Sequence, residues 1–322
     1  MKRLALSATV LLALARAPAH AETSDSDAPG RFVEVWVRGG GPLREGVAPR
    51  VRSRRVDLDR VARKEVQRYD AQYDRVARYR GIPLGALIDR VARAEARDPA
   101  TDLAILHFAN GMAIPFAFRD RTAEARLEPF VARGHRAGPQ RPFTDAFPSL
   151  GKGGAPDPRP VQFSGNKLVV ADRWHPEVAP TTEESFSPWT RADTLVGVEL
   201  VAGGAYYAQF DVGGDPPVQR GLALYRANCQ FCHGARGVGA AFGWDFVDAP
   251  SIYGTRDSAA NLYHHIAYRP RNATELGLLM PALAALTEED AGALQRWLEA
   301  ISTRPMPVYS PPQTRRARRG GQ

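Results

Sequence analysis

The sequence predicts two folded parts in tandem, an α+β domain over residues 31–212 and an all-α domain over residues 213–303. Period-two alternation and one strong hairpin signal mark the first part, and helical periodicity marks the second. The length of 322 residues agrees with two domains at about 150 residues each. A composition of 44% apolar and 24% charged residues is ordinary for globular proteins and excludes a disordered or fibrous chain.

Ahead of the first part, Lys2 and Arg3 precede an apolar run from Leu4 to Ala15, and Ala19-His20-Ala21 follows as a small-x-small cleavage pattern. The expectation is an export signal removed after Ala21, with residues 22–30 as a linker. The run is well short of the roughly 20 residues that cross a bilayer, and no later segment is long and charge-free enough to do so. A soluble periplasmic protein is therefore expected. Removing Lys2, Arg3 and Arg16 with the signal takes the formal charge from +8 to +5. Arg315, Arg316, Arg318 and Arg319 concentrate most of the remainder in a Pro/Arg-rich tail over residues 304–322. The folded body is thus nearly neutral, which speaks against nucleic acid as a partner and leaves a weak surface attraction to acidic groups through the tail.

The first predicted element is a strand over residues 31–38, with Val33, Val35 and Val37 on one face. A helix follows from Pro83, striped by Leu84, Leu87, Ile88 and Val91 and ending near Arg97-Asp98-Pro99. Residues 103–109 and 112–118 flank Asn110-Gly111, the strongest short-range hairpin signal. Further strands are expected at residues 167–171, 194–201 and 206–210, after a Pro/Gly-rich stretch over residues 134–160. His107, His135 and His175 are scattered without helical pairing and read as structural or surface histidines. Trp174, Trp189 and the acids Glu177, Glu183 and Glu184 are assigned to a loop that lines a pocket or a partner-facing surface, or simply anchors on the core. No Ser-His-Asp order, carboxylate pair or nucleotide fingerprint is present, so no catalytic residue is assigned.

In the second part, Val218, Leu222 and Tyr225 recur at helical spacing and lead into Cys229-Gln230-Phe231-Cys232-His233. These are the chain's only two cysteines. A disulfide-stapled scaffold or a Cys-rich zinc site is thereby excluded, and no βαβ pattern frames a thioredoxin-like reading. Two thiols at this spacing can reach both vinyl groups on one porphyrin edge, and the adjacent imidazole of His233 is then delivered beneath the iron. The motif predicts one covalently attached haem c. Leu286-Thr287-Glu288-Glu289-Asp290 sets a threonine cap and three acids at the start of a terminal helix striped by Ala291, Leu294, Trp297, Leu298 and Ile301. Gly221 would let Trp297 or Leu294 pack close. Met280 is the methionine that falls between the haem motif and this helix, since Met112 and Met306 lie elsewhere. It competes as distal ligand with His264 and His265, which sit in a predicted helix over residues 261–268.

The helix at Arg220-Gly221 to Tyr225, the haem motif followed by Gly234, Met280-Pro281 and the terminal helix together resemble the class I cytochrome c family over about residues 216–303. The resemblance implies an all-α haem domain with His233 as proximal and Met280 as distal iron ligand. It also implies that the carbonyl of Pro250, in Ala249-Pro250-Ser251-Ile252, accepts the ring N–H of His233. The run Arg78 to Ile88 followed by the Asn110-Gly111 hairpin is similar to the molybdopterin-binding fold of sulfite-oxidase-type enzymes, over roughly residues 31–212. It departs from that family where the molybdenum is ligated, because no cysteine is left for the metal. Three functions follow as expectations. The first is an electron carrier with an N-terminal docking domain that meets a periplasmic dehydrogenase or acceptor. The second is an oxidoreductase whose N-terminal domain binds molybdopterin and feeds the haem, and the third is a haem-based ligand sensor.

Overall fold

The computed structural model of the chain describes residues 31–39, 50–70, 75–93, 95, 102–117, 130–136, 143, 146–148, 162–164, 166–169, 194–243, 245–247, 259–267, 283 and 285–304. The expected export signal, the linker, the tail beyond residue 304, Trp174, His175, Trp189, Pro250 and Met280 lie outside the described residues, as does the side chain of His135.

The elements run β1 (Phe32–Arg38), β2 (Val51–Asp57), β3 (Lys64–Asp70), β4 (Arg75–Pro83), α1 (Leu84–Arg93), β5 (Asp102–Phe108), β6 (Ala113–Ala117), β7 (Phe130–Arg136), β8 (Ala146–Pro148), β9 (Gln162–Ser164), β10 (Lys167–Val169), β11 (Leu195–Ala202), α2 (Gly203–Tyr207), α3 (Pro216–Leu224), β12 (His233–Ala235), β13 (Val238–Ala241), α4 (Ala259–Ala267) and α5 (Glu288–Ser302). Two larger sheets form, with strand orders β2-β1-β11-β5-β6 and β10-β7-β4-β3. Only β1 with β11 is parallel among these pairings. The Asn110-Gly111 turn closes β5 on β6 as its sequence predicts, with Leu106 opposite Ile114.

Alternation along β1 sends Val33, Val35 and Val37 into a core shared with Leu84, Leu87, Ile88 and Val91 of α1. Each such aliphatic side chain contributes about 1.5–3 kcal/mol on burial. The opposite face of the five-stranded sheet is buried too. Leu103, Ile105, Ala113, Ala117 and Val201 belong to a second apolar cluster that contains Leu222, Tyr225, Leu294 and Trp297. The sheet is therefore a middle layer, with α1 on one side and the C-terminal helices on the other.

Several expectations are corrected. Residues 206–210 are not a strand: α2 and the turn after it place Tyr206 and Phe210 four positions apart on one side, their ring centroids 5.5 Å apart. The aromatic β-formers in this stretch obey a helical spacing. Strands β2, β3, β4 and β7 go beyond the strands expected, because charged and polar residues dominate them, although in β4 buried Ala77 and Tyr79 alternate with exposed Arg78 and Arg80. β2 and β3 are the edges of their sheets, where charge suits exposed backbone. Residues 134–160 contain the end of β7 and all of β8, which pairs with β9. The C-terminal part is not wholly helical either, since the two-stranded β12–β13 hairpin follows the cysteine motif directly.

Candidate functional site

Helix α3 opens with Asp215, whose carboxylate accepts the Val218 N–H at 3.2 Å, and with Pro216 and Pro217 in its first turn. Gly221 faces α5. A Cβ there would lie 2.7 Å from Cβ of Trp297 and would collide with the Ala293 carbonyl oxygen, so glycine sets how closely the two helices approach. After α3 the chain widens into one π-type turn over Tyr225–Cys229, closed by the Gln230 N–H donating to the Tyr225 carbonyl at 3.0 Å. This turn presents the cysteine motif.

Tyr225 ties the motif to α5. Its ring is fully buried and stacks on Trp297 with centroids 4.5 Å apart, and its hydroxyl donates to the His233 carbonyl at 3.0 Å. Burial holds the phenol well above its ordinary pKa, with Tyr206 adding to the effect, so the group stays a neutral donor. Trp297 is fixed in turn by its Nε1–H, which donates to the Phe210 carbonyl at 3.0 Å. The imidazole of His233 stacks on Phe246 at 4.6 Å with 9° between the planes. The ring also meets Gly243, where an added Cβ would lie 2.7 Å from Nδ1. Asp245 stiffens the following turn by accepting the N–H groups of Arg236, Gly237 and Val247 at 3.0, 2.7 and 2.9 Å.

Cys229 and His233 open into one small cavity. Leu262 and Ile266 of α4 and Leu294 and Leu298 of α5 make its walls apolar. Neither cysteine is in a disulfide, and burial, with the neighbouring Cys232 thiol adding, pushes the Cys229 pKa up to about 12. Two disulfide-free thiols three positions apart and an imidazole on an apolar cavity fit a covalently held haem in donor set and surroundings. Of the two competing histidines, His265 lines this cavity, whereas His264 is exposed on α4. Met280 and Pro250 lie outside the described residues. Among the described residues no group of three His, Cys, Asp or Glu side chains is placed to hold a metal ion.

Sequence reasoning missed a buried polar cluster in the N-terminal sheet. Glu199 of β11 takes His107 Nε2 at 3.1 Å and Arg38 Nε at 3.5 Å, and all three side chains are almost completely buried. Trp36 meets the His107 ring edge-on at 5.5 Å, and the Arg38 guanidinium lies 5.7 Å from the Tyr206 ring. His107 is thus a paired structural histidine, as its isolation in the sequence suggests. Alternation would have placed Arg38 on the face opposite the valines, but nothing local says that this face is covered.

In comparisons with known proteins, residues 216–298 match the family described as cytochrome C oxidase, cbb3-type, subunit III. No curated protein matches the chain. The matched segment runs from the first residue of α3 into α5 and contains the whole cysteine motif. The C-terminal part is a cytochrome c domain, and a domain of this kind carries covalently bound haem c and transfers electrons. Such domains are typically extracellular or periplasmic, and among the described residues no helix is long and apolar enough to cross a membrane. The resemblance of the N-terminal part to the molybdopterin-binding fold finds no support in these comparisons.

Proposed function

We propose that the protein is an exported, single-haem c-type cytochrome that passes electrons one at a time between periplasmic redox partners. Cys229 and Cys232 form the two thioether links, His233 is the proximal iron ligand and Met280 the distal one. The observation that carries this reading is the shared apolar cavity of Cys229 and His233, inside a segment that matches a cytochrome c family. When bound, haem c supplies reversible one-electron chemistry at its iron. The chain's own residues then do three things. Tyr225, Phe246 and Gly243 hold the His233 backbone and ring plane. The leucines and Ile266 keep water from the cavity, which favours the less charged reduced state. Pro250 fixes the His233 tautomer through its carbonyl.

Were His233 and Met280 both to hold the iron, the haem would supply one-electron transfer and the protein would act as a carrier rather than a catalyst. The N-terminal domain presents a surface to a dehydrogenase or terminal acceptor, and the basic tail adds weak electrostatic attraction. One observation favours a second ligand reading: His265 lines the same cavity as His233. The Met280→Ala variant separates the two. It is expected to keep covalent haem, to lose the methionine-to-iron charge-transfer band of the oxidised protein and to fall in reduction potential, measured by absorbance and redox titration. An unchanged oxidised spectrum would remove Met280 as the ligand and leave His265 in its place.

A further inference from the structure

The turn between β5 and β6 does more than close a hairpin. Two main-chain hydrogen bonds join it to the haem motif on either side of His233: the Ala113 N–H donates to the Phe231 carbonyl at 3.1 Å, and the Ala241 N–H donates to the Gly111 carbonyl at 2.8 Å. Gly111 holds φ at +92°, and a Cβ there would lie 2.9 Å from the carbonyl carbon and oxygen of Ala241, so the contact has no room for a side chain. The turn is itself stiff, since Asn110 Oδ1 accepts the Met112 N–H at 3.2 Å and the Phe108 N–H donates to the Met112 carbonyl at 3.0 Å. The Phe231 side chain, between the two cysteines, is only 3% exposed and belongs to the core of the N-terminal domain, against which Cys232 and Phe242 also pack. Two residues beyond Ala241, Gly243 donates its N–H to the Cys232 carbonyl at 2.7 Å and bears on the His233 ring.

We propose that the N-terminal sheet is a wall of the haem site: the Asn110-Gly111 turn positions His233 through Ala241 and Gly243, and it covers the porphyrin edge to which Cys232 attaches. This rests on the haem reading above. Gly111 is accordingly a positioning residue, acting on the ligand through the strand it holds. A domain that served only to dock partners would have no need of main-chain bonds to the cysteine motif. Coverage of that edge also lowers its exposure to water, one of the levers by which a protein sets haem potential.

The test uses the full-length holoprotein with Gly111→Ala, and Val169→Ala as the comparison. Val169 of β10 is buried in a third apolar cluster, with Ala77, Tyr79, Phe130 and Ala132, that contains no residue of the cysteine motif, so its truncation loosens the N-terminal domain away from the haem loop. Gly111→Ala is expected to keep stoichiometric covalent haem while its reduction potential falls and the low-spin ferric electron paramagnetic resonance signal shifts. Val169→Ala should leave both as in the parent. Unchanged potential and resonance in Gly111→Ala, or equal changes in Val169→Ala, would overturn the inference. Should Gly111→Ala not accumulate, hydrogen exchange on the parent holoprotein decides: the Ala113 and Ala241 amides should exchange together in the slow class, and exchange at open-loop rates would overturn it. A parent chain without covalent haem would instead sink the functional reading on which this one stands.

Discussion

Gly221 shows how much one residue can decide. Its Cα–H surface seats the Trp297 side chain, and Trp297 in turn carries Tyr225, whose hydroxyl reaches His233. Gly221→Val forces extra carbons into this closed contact, a change that costs about 1–3 kcal/mol. In urea unfolding of the holoprotein the midpoint should fall while the slope with denaturant stays constant. The Gly221–Trp297 contact is legible in the sequence, because a small residue and a large one fall on the facing stripes of two predictable helices. The Tyr225–His233 bond and the Phe246 stack are not. Tyr225 reads as one more apolar position at helical spacing, and the wide turn that swings its hydroxyl toward His233 has no residue signature. Arg38 and Glu199 escape notice for another reason: each sits at an alternate strand position that reads as solvent-facing, yet both are buried, and Arg38 lies over the Tyr206 ring of α2.

Among the elements, α5 is the one whose start is most fully specified. The Thr287 hydroxyl oxygen accepts the Asp290 N–H at 3.2 Å, and Asp290 Oδ2 accepts the Thr287 N–H at 3.0 Å, a reciprocal cap readable from Thr-Glu-Glu-Asp. Arg220 of α3 adds its Nη2 to Asp290 Oδ1 at 2.7 Å, so the cap also pins α3 to α5. Burial pushes the Asp290 carboxyl up, but the Thr287 and Arg220 contacts together outweigh it and hold the pKa below its ordinary value. A carboxyl depressed in the folded state contributes stability above its unfolded pKa of about 3.9, and loses it as pH falls through the folded value. Asp290→Asn should therefore cost about 1 kcal/mol near neutrality and progressively less in acid, checked by urea unfolding at pH 7 and pH 3. Helices α1 and α5 and the Asn110-Gly111 hairpin were legible because stripe, cap and turn residues are local signals. Strands β2 and β3 were not, since an edge strand covered with charged and polar side chains follows the rule of protected edges rather than that of alternating burial.

On the scale of the whole molecule, the tandem order of an α+β part and a haem-motif part was legible, and their union was not. Nothing in the sequence around Asn110-Gly111 points to a segment some 120 residues later, yet the two meet through main-chain hydrogen bonds and a common apolar cluster. A shared core predicts shared fate. Thermal unfolding followed by the haem absorbance and by far-ultraviolet circular dichroism should give coincident transitions, whereas a tethered haem domain would melt on its own.

The burial of the cysteine motif also orders events in the life of the chain. In the folded form Cys229 is enclosed and its thiol is protonated, and Phe231 is inserted in the core of the N-terminal domain. Thioether formation needs both sulfurs exposed to the porphyrin and to whatever joins them to it. Under the attachment proposed above, haem must therefore be installed while the second half of the chain is still open. On that order of events the N-terminal sheet keeps one face uncovered until the chemistry is complete, and closure of the two halves becomes the last step of maturation.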